Sequence, residues 1–180
     1  MSKVTIATDW LDICAGCHMS FLDIDERLVG LLDKIEITSS PITDLKEPPA
    51  EGVVVGILTG AVSNSHQLEV AKKMRERCKI LVAIGDCASM NGIPSMRNGL
   101  STEEILTRAY VETESTVDGK IPRSEEIAKL FEESVPIHEV VKVDVNLPGC
   151  PPSSDSIYFV IAELLEGRIP ALIGDNLKYD

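Results

Sequence analysis

The sequence predicts a single α/β domain in which a doubly wound parallel sheet is flanked by helices. Short apolar runs rich in β-branched residues alternate along the chain with segments of helical periodicity, the order expected of parallel strands joined by right-handed crossovers. Aromatic residues make up 4% of the chain, so aliphatic side chains supply most of its apolar content. A length of 180 residues suits one domain with predicted bounds 1–180.

The apolar runs predict five strands, at 4–8, 35–37, 52–58, 79–84 and 140–147. The runs at 52–58 and 79–84 are almost continuously apolar, which is typical of strands buried on both faces of a sheet. We therefore expect helices to cover both faces.

Helical spacing of apolar residues predicts the helices between these strands. They are expected at 21–34, at 65–77, over two or three turns after 101, at 124–133 and from 154 to 166. Each is preceded by a residue type that caps helix N-termini: Ser20, Asn64, Ser101, Ser124, and Ser153 or Ser154. The segments 38–51, 85–94 and 112–123 are predicted to be loops.

The chain carries 29 acidic and 17 basic residues, a net charge of −12. This excess argues against binding nucleic acid or an anionic membrane through a basic patch. About half of it falls in residues 101–139, an acidic helical excursion that either faces a partner or is simply a solvated surface. The sequence has no apolar run of transmembrane length and begins in a strand without a leader, so we expect a cytoplasmic protein.

Four cysteines are predicted to meet at one edge of the sheet. Cys14 and Cys17 follow the first strand, Cys87 follows the strand at 79–84, and Cys150 follows the strand at 140–147. Loops beyond the carboxyl ends of parallel strands share an edge, where ligands bind in open α/β sheets. Cys78 precedes a strand instead, so we expect it at the opposite edge as a buried thiol without a ligand role.

Four converging thiolates suit either Zn²⁺ or an iron–sulfur cluster. A single Cys-x-x-Cys pair, rather than the two pairs of a typical zinc ribbon, favours iron–sulfur, as does the Cys150–Pro151 step. Cys14-x-x-Cys17-His18 also matches the c-type haem attachment pattern, and the Cys14/Cys17 pair matches a thioredoxin-like redox motif. Either of these readings leaves Cys87 and Cys150 unexplained.

The motifs around these cysteines resemble those of the small subunit of [NiFe]-hydrogenases. The three segments are Cys14-x-x-Cys17-His18-Met19-Ser20, Gly85-Asp86-Cys87-Ala88 with Gly92-Ile93-Pro94, and Pro148-Gly149-Cys150-Pro151-Pro152. Within that family the chain is most similar to the short, cytoplasmic small subunit of bidirectional NAD-reducing hydrogenase. The related subunit of respiratory complex I has adjacent cysteines in place of Cys-x-x-Cys, so the Cys14/Cys17 spacing favours the hydrogenase branch.

The resemblance implies a flavodoxin-like domain that holds a proximal [4Fe–4S] cluster on Cys14, Cys17, Cys87 and Cys150. It implies two partners, a large subunit with the Ni–Fe site and a diaphorase module with FMN and further iron–sulfur clusters. The chain would be a relay subunit of hydrogen dehydrogenase with no catalytic acid, base or nucleophile of its own. FMN binding to this chain is possible in such a fold, but no motif here supports it. The alternatives are another cytoplasmic [NiFe]-hydrogenase with a different acceptor, a zinc-binding α/β module and a thiol-disulfide enzyme.

Two further positions near the motifs bear on the resemblance. Many relatives have a glutamate where this chain has Thr59, so a carboxylate role at that position is not expected here. His18 is expected to be either an interface residue beside the cluster or an exposed structural histidine.

Overall fold

A computed structural model describes residues 3–177, so the predicted domain bounds at 1 and 180 lie outside the described residues. The strands are β1 Val4–Trp10, β2 Ile35–Ser39, β3 Val53–Thr59, β4 Val62–Asn64, β5 Cys78–Ile84, β6 Leu130–Val135 and β7 Val145–Leu147. The α-helices are α1 Gly16–Leu22, α2 Glu26–Leu32, α3 Ser65–Arg77, α4 Asp86–Met90, α5 Thr102–Tyr110 and α6 Ser154–Leu165. Short 3₁₀ helices span Ile93–Gly99, Ile137–Glu139 and Gly174–Asn176.

Five of the described strands form a parallel sheet in the order β2-β1-β3-β5-β7. The chain passes from β1 to β2 on one side and then to β3 on the other, so the strand order reverses between β1 and β3. This is the flavodoxin-like order, and the point of reversal is where such sheets bind ligands. The predicted doubly wound α/β fold is confirmed.

The core lies on both faces of this sheet because neighbouring side chains of a strand point to opposite faces. Ile57 and Ile84 belong to one buried cluster, with Ile161 of α6. Leu58 belongs to the other, with Met74 of α3. Burial on both faces explains why β3 and β5 are continuously apolar in sequence.

Three predicted helix starts are observed as capped helix N-termini. The Asn64 side chain accepts a hydrogen bond from the Gln67 N–H at 2.9 Å, at the start of α3. Ser101 and Glu104 form a reciprocal capping box at the start of α5. Ser153 caps α6, which settles the choice between Ser153 and Ser154.

The predicted helix at 21–34 is wrong in its bounds, because the chain forms two short helices there. Asp25 lies between them with φ 58°, a left-handed backbone angle that interrupts a right-handed helix. Ser20 is not the predicted N-cap. It lies inside α1, where its hydroxyl donates a 2.6 Å hydrogen bond to the carbonyl of Pro152.

The predicted helix at 124–133 is also wrong. Residues 130–135 form β6, which pairs antiparallel with β4. This two-stranded ribbon was not predicted, because its strands are short and far apart in sequence. The excursion at 101–139 therefore contains the strand β6 as well as the helix α5.

Two other segments differ from their predicted form. The strand expected at 140–147 is limited to Val145–Leu147, after a 3₁₀ turn at Ile137–Glu139. The loop expected at 85–94 contains α4 and the start of a 3₁₀ helix. No helix among residues 3–177 is both long and apolar enough to cross a membrane.

An ion pair at the amino-terminal edge of the sheet predicts an acid-sensitive component of stability. Asp144 accepts hydrogen bonds from Arg75 at 2.5 Å and from the Leu81 N–H at 2.9 Å. Burial raises the pKa of Asp144, but these two donors, together with Lys142, outweigh burial and hold the pKa below its usual value. We expect Asp144→Asn to lower the free energy of unfolding by about 1–2 kcal/mol at neutral pH.

That difference should depend on pH in a defined direction. A carboxyl whose pKa is depressed by folding stabilises the fold above its unfolded pKa, and the contribution is lost as pH falls through the folded pKa. Urea unfolding of both proteins should therefore give a constant difference above about pH 5 that shrinks at lower pH. The exposed pair Arg108–Glu114 provides a control, since Glu114→Gln should change stability much less. A pH-independent difference for Asp144→Asn would contradict this assignment.

Candidate metal centre

The four predicted ligand cysteines lie together beyond the carboxyl ends of three strands. Cys14 lies just before α1 and Cys17 in its first turn, Cys87 lies in the first turn of α4 after β5, and Cys150 follows β7. Burial raises the pKa of Cys17 to about 12, and the nearby thiols of Cys87, Cys14 and Cys150 add to this effect. The structure therefore brings thiols from three separate loops close enough to interact electrostatically.

Backbone and side-chain hydrogen bonds hold two of these loops together. The Asp86 N–H donates to the Gly149 carbonyl at 2.9 Å, and the Gly149 N–H donates back to the Asp86 carboxylate at 2.6 Å. Each residue directly precedes a predicted ligand, Cys87 or Cys150. The Gly85 N–H also donates to the Leu147 carbonyl at 2.7 Å, which extends the β5–β7 pairing to the site. Asp86 thus fixes the spacing between two thiols, a role that the sequence alone did not reveal.

The Cys14 loop is attached to the segment after β3. The Leu11 N–H donates to the Thr59 carbonyl at 2.9 Å, and Asp12 and Ala61 exchange two backbone hydrogen bonds. These bonds cross the crevice between β1 and β3, where a flavodoxin-like sheet would place a ligand. The structure therefore adds no support for FMN at this crevice.

Glycine allows the backbone to approach the thiols closely. Gly85 has φ +95°, and a Cβ atom at this position would overlap with the Cys17 sulfur. The Gly16 N–H donates to the Cys14 sulfur at 3.4 Å. Backbone amides close to sulfur are what an anionic iron–sulfur cluster requires, because they stabilise its negative charge.

The raised pKa values of these thiols are compatible with metal coordination. Burial raises the pKa of Cys87, and the Ile93 N–H partly opposes this by lowering it. Thiols whose pKa is raised become thiolates when a metal coordinates them. Among residues 3–177, no group of three or more His, Cys, Asp or Glu side chains is placed so that it could hold a metal ion. Four thiols from separate loops are nevertheless the donor set of an iron–sulfur cluster.

His18 is buried rather than exposed, with 5% of its surface accessible. Its Nδ1 lies 3.2 Å from the Thr59 hydroxyl, and its ring packs edge-on against Trp10 with centroids 5.4 Å apart. Burial lowers the pKa of His18, so the ring is expected to be neutral at pH 7. The prediction of an exposed structural histidine is therefore wrong, and Thr59 serves here as a packing partner of His18.

Cys78 lies where the sequence predicts, at the opposite edge of the sheet. It is the first residue of β5, pairs with Val53 and is 6% exposed. A Cβ atom at Gly56 would lie 2.7 Å from its sulfur, so this thiol fills a space that the neighbouring glycine leaves.

Residues 14–164 match the model of the protein family described as the 20 kDa subunit of NADH ubiquinone oxidoreductase. This range begins at Cys14 and includes the other three thiols of the site. The chain belongs to this family. The matched range therefore covers every loop that carries one of the four predicted ligand cysteines.

Relatives within the family are hydrogenase subunits. The delta subunit of the NAD-reducing hydrogenase HoxS from Cupriavidus necator is 39% identical over 181 residues, covering 99% of this chain and 86% of that protein. A solved structure of an NAD⁺-reducing [NiFe]-hydrogenase in the H₂-reduced state has a chain that superposes with a TM-score of 0.94 at 39% identity, covering 99% of this chain and all of the other. The resemblance to the small subunit of NAD-reducing [NiFe]-hydrogenases is confirmed.

A more distant relative has a name that refers to its cofactor. An iron–sulfur subunit of the F420-non-reducing hydrogenase from Archaeoglobus profundus is 34% identical over 174 residues, covering 87% of this chain. The chain spans 54% of the length of that relative. The matched portion therefore makes up most of this chain but only about half of that relative.

Proposed function

We propose that this chain is the electron-relay small subunit of a cytoplasmic NAD-reducing [NiFe]-hydrogenase, and that Cys14, Cys17, Cys87 and Cys150 hold its proximal [4Fe–4S] cluster. The observation that carries the proposal is the convergence of four thiols, from loops after β1, β5 and β7, at one edge of the sheet. The similarity to a hydrogenase subunit over 99% of the chain supports the same assignment. Residues 1–180 are proposed to form one domain around this site.

The proposed partners are a large subunit with the Ni–Fe site and a diaphorase module with FMN and further iron–sulfur clusters. When bound, the cluster supplies one-electron transfer between them. The chain itself would position the cluster and tune its potential. Asp86 sets the distance between the Cys87 and Cys150 loops, the Gly16 amide donates to the Cys14 sulfur, and the Ile93 amide lowers the pKa of the Cys87 thiol. Cys14 and Cys150 are exposed, which leaves one side of the site open to a neighbouring subunit.

The main alternative is a [NiFe]-hydrogenase whose electron acceptor is not NAD⁺, since the archaeal relative is named as part of a different hydrogenase. Both forms would use the same relay on this chain and differ in the module that receives the electrons. The four-thiol site would be common to the two, so its geometry does not select the acceptor.

Purification of the native complex, through a tag on this chain, tests the proposal. We expect nickel to co-purify, and we expect H₂-dependent reduction of NAD⁺. The Cys150→Ala complex should lose this activity because the relay is broken, although the large subunit should keep its nickel. H₂ uptake with another acceptor but not NAD⁺ would favour the alternative. A purified chain without nickel or hydrogenase partners would contradict the proposal.

A further inference from the structure

A buried polar cluster lies beside the Cys87 loop and involves the unpredicted ribbon of β4 and β6. Its centre is Ser134 in β6, which is 1% exposed. The Ser134 hydroxyl accepts a hydrogen bond from the Ser63 hydroxyl of β4 at 3.0 Å. The ribbon thus presents a buried polar residue to the segment that follows α4.

Two asparagine side chains hold the backbone and side chain of Ser134. Asn91 donates to the Ser134 carbonyl and accepts from its hydroxyl at 2.7 Å. Asn98 donates to the same carbonyl at 2.8 Å and accepts from the Ser134 N–H at 2.8 Å. The turn from Asn91 to Asn98 is therefore attached to Ser134 at both of its ends.

This turn folds back over Cys87. Asn91 has φ 66° and ends α4, and the Ser95 N–H then donates to the Asn91 carbonyl at 3.0 Å. The reversal packs the turn against the Cys87 loop, and the Ile93 amide lowers the pKa of the Cys87 thiol. Gly92 permits this packing, since a Cβ atom there would lie 3.1 Å from the backbone nitrogen of Cys87.

Hydrogen bonds from amides to ligand sulfurs raise the reduction potential of an iron–sulfur cluster, because they stabilise the more negative reduced state. We propose that Asn91 is a positioning residue of the metal centre: its two hydrogen bonds to Ser134 hold the turn, and with it the Ile93 amide, beside Cys87 and so set the potential of the cluster. The proposal rests on the function proposed above, in that it requires a cluster on Cys87.

The test is the Asn91→Gly variant of the complex, because glycine accepts the same backbone angle and removes only the amide side chain. Iron and sulfide content should be unchanged. The reduction potential, from a redox titration followed by EPR, should become more negative, with the equilibrium constant for reduction falling up to about tenfold, or about 59 mV for one electron. A purely structural role for Asn91 would lower stability without moving the potential.

Asp118→Gly is the matched control, since Asp118 also has positive φ, at 53°, but lies exposed in the acidic excursion. Its potential should equal that of the unsubstituted complex. An unchanged potential in Asn91→Gly, or an equal shift in Asp118→Gly, overturns the proposal. If the unsubstituted complex has no cluster, the proposed function fails instead.

Ser134→Ala provides a second variant if Asn91→Gly does not retain its cluster. It removes the hydroxyl that bonds to Asn91 but keeps the backbone groups that bond to both asparagines. A smaller shift to more negative potential supports the proposal, and an unchanged potential overturns it.

Discussion

Replacing Cys87 or Cys150 with alanine is expected to abolish binding of the iron–sulfur cluster. Each substitution removes one of four thiolates, and each ligand comes from a loop that the others cannot replace, since the loops are fixed at the ends of separate strands. Anaerobic purification should yield a folded chain whose iron and acid-labile sulfide content falls to a small fraction of the original. Far-UV circular dichroism should show that the sheet persists.

Cys78→Ala is the control for this prediction, because it also removes one thiol. Cys78 lies at the opposite edge of the sheet, so the chain should keep its full iron content. Loss of a buried sulfur should still lower the free energy of unfolding by about 1 kcal/mol. Iron loss in Cys78→Ala, or iron retention in Cys150→Ala, would refute this assignment of ligands. Retention of thiol-disulfide activity in Cys150→Ala would instead indicate a thiol enzyme.

Gly85→Ala is expected to disrupt both stability and cluster binding. The new Cβ atom would overlap with the Cys17 sulfur at a buried position, and the backbone angle of φ +95° is unfavourable for alanine. The angle costs about 1–2 kcal/mol and the crowding about 1–3 kcal/mol more. Denaturant unfolding should show the summed loss, and iron content should fall because Cys17 is displaced.

Gly167→Ala separates these two effects. Gly167 has φ +75° but nothing within 4 Å of a new Cβ atom, and it lies after α6, away from the loops that carry the thiols. It should show the cost of the backbone angle alone, with full iron content. Equal losses of stability in the two variants would mean that Gly85 does not contact Cys17 as described.

The sheet could be predicted from the sequence because its strands are buried on both faces. This burial makes β3 and β5 continuously apolar, which is visible without any knowledge of their neighbours. The break at Asp25 could not be predicted, since helical periodicity continues across it. The ribbon was missed for a different reason: Leu130–Val135 forms a strand by pairing with distant Val62–Asn64.

The four thiols of the site were predictable because each follows a strand. The residues that hold their loops were not, because Asp86, Asn91 and Ser134 are ordinary polar residues until their distant partners are known. The burial of His18 was likewise hidden, since it depends on tertiary packing against an aromatic ring and a hydroxyl. Candidate ligands could be read from local context, whereas their supports depend on tertiary contacts.

Metal analysis of the anaerobically purified chain tests the central claim most directly. A relay subunit should contain about four iron atoms and about four acid-labile sulfides per chain, with an EPR signal that appears on reduction. Stoichiometric zinc without sulfide would contradict the claim and would indicate a zinc-stabilised α/β module that uses the same four thiols.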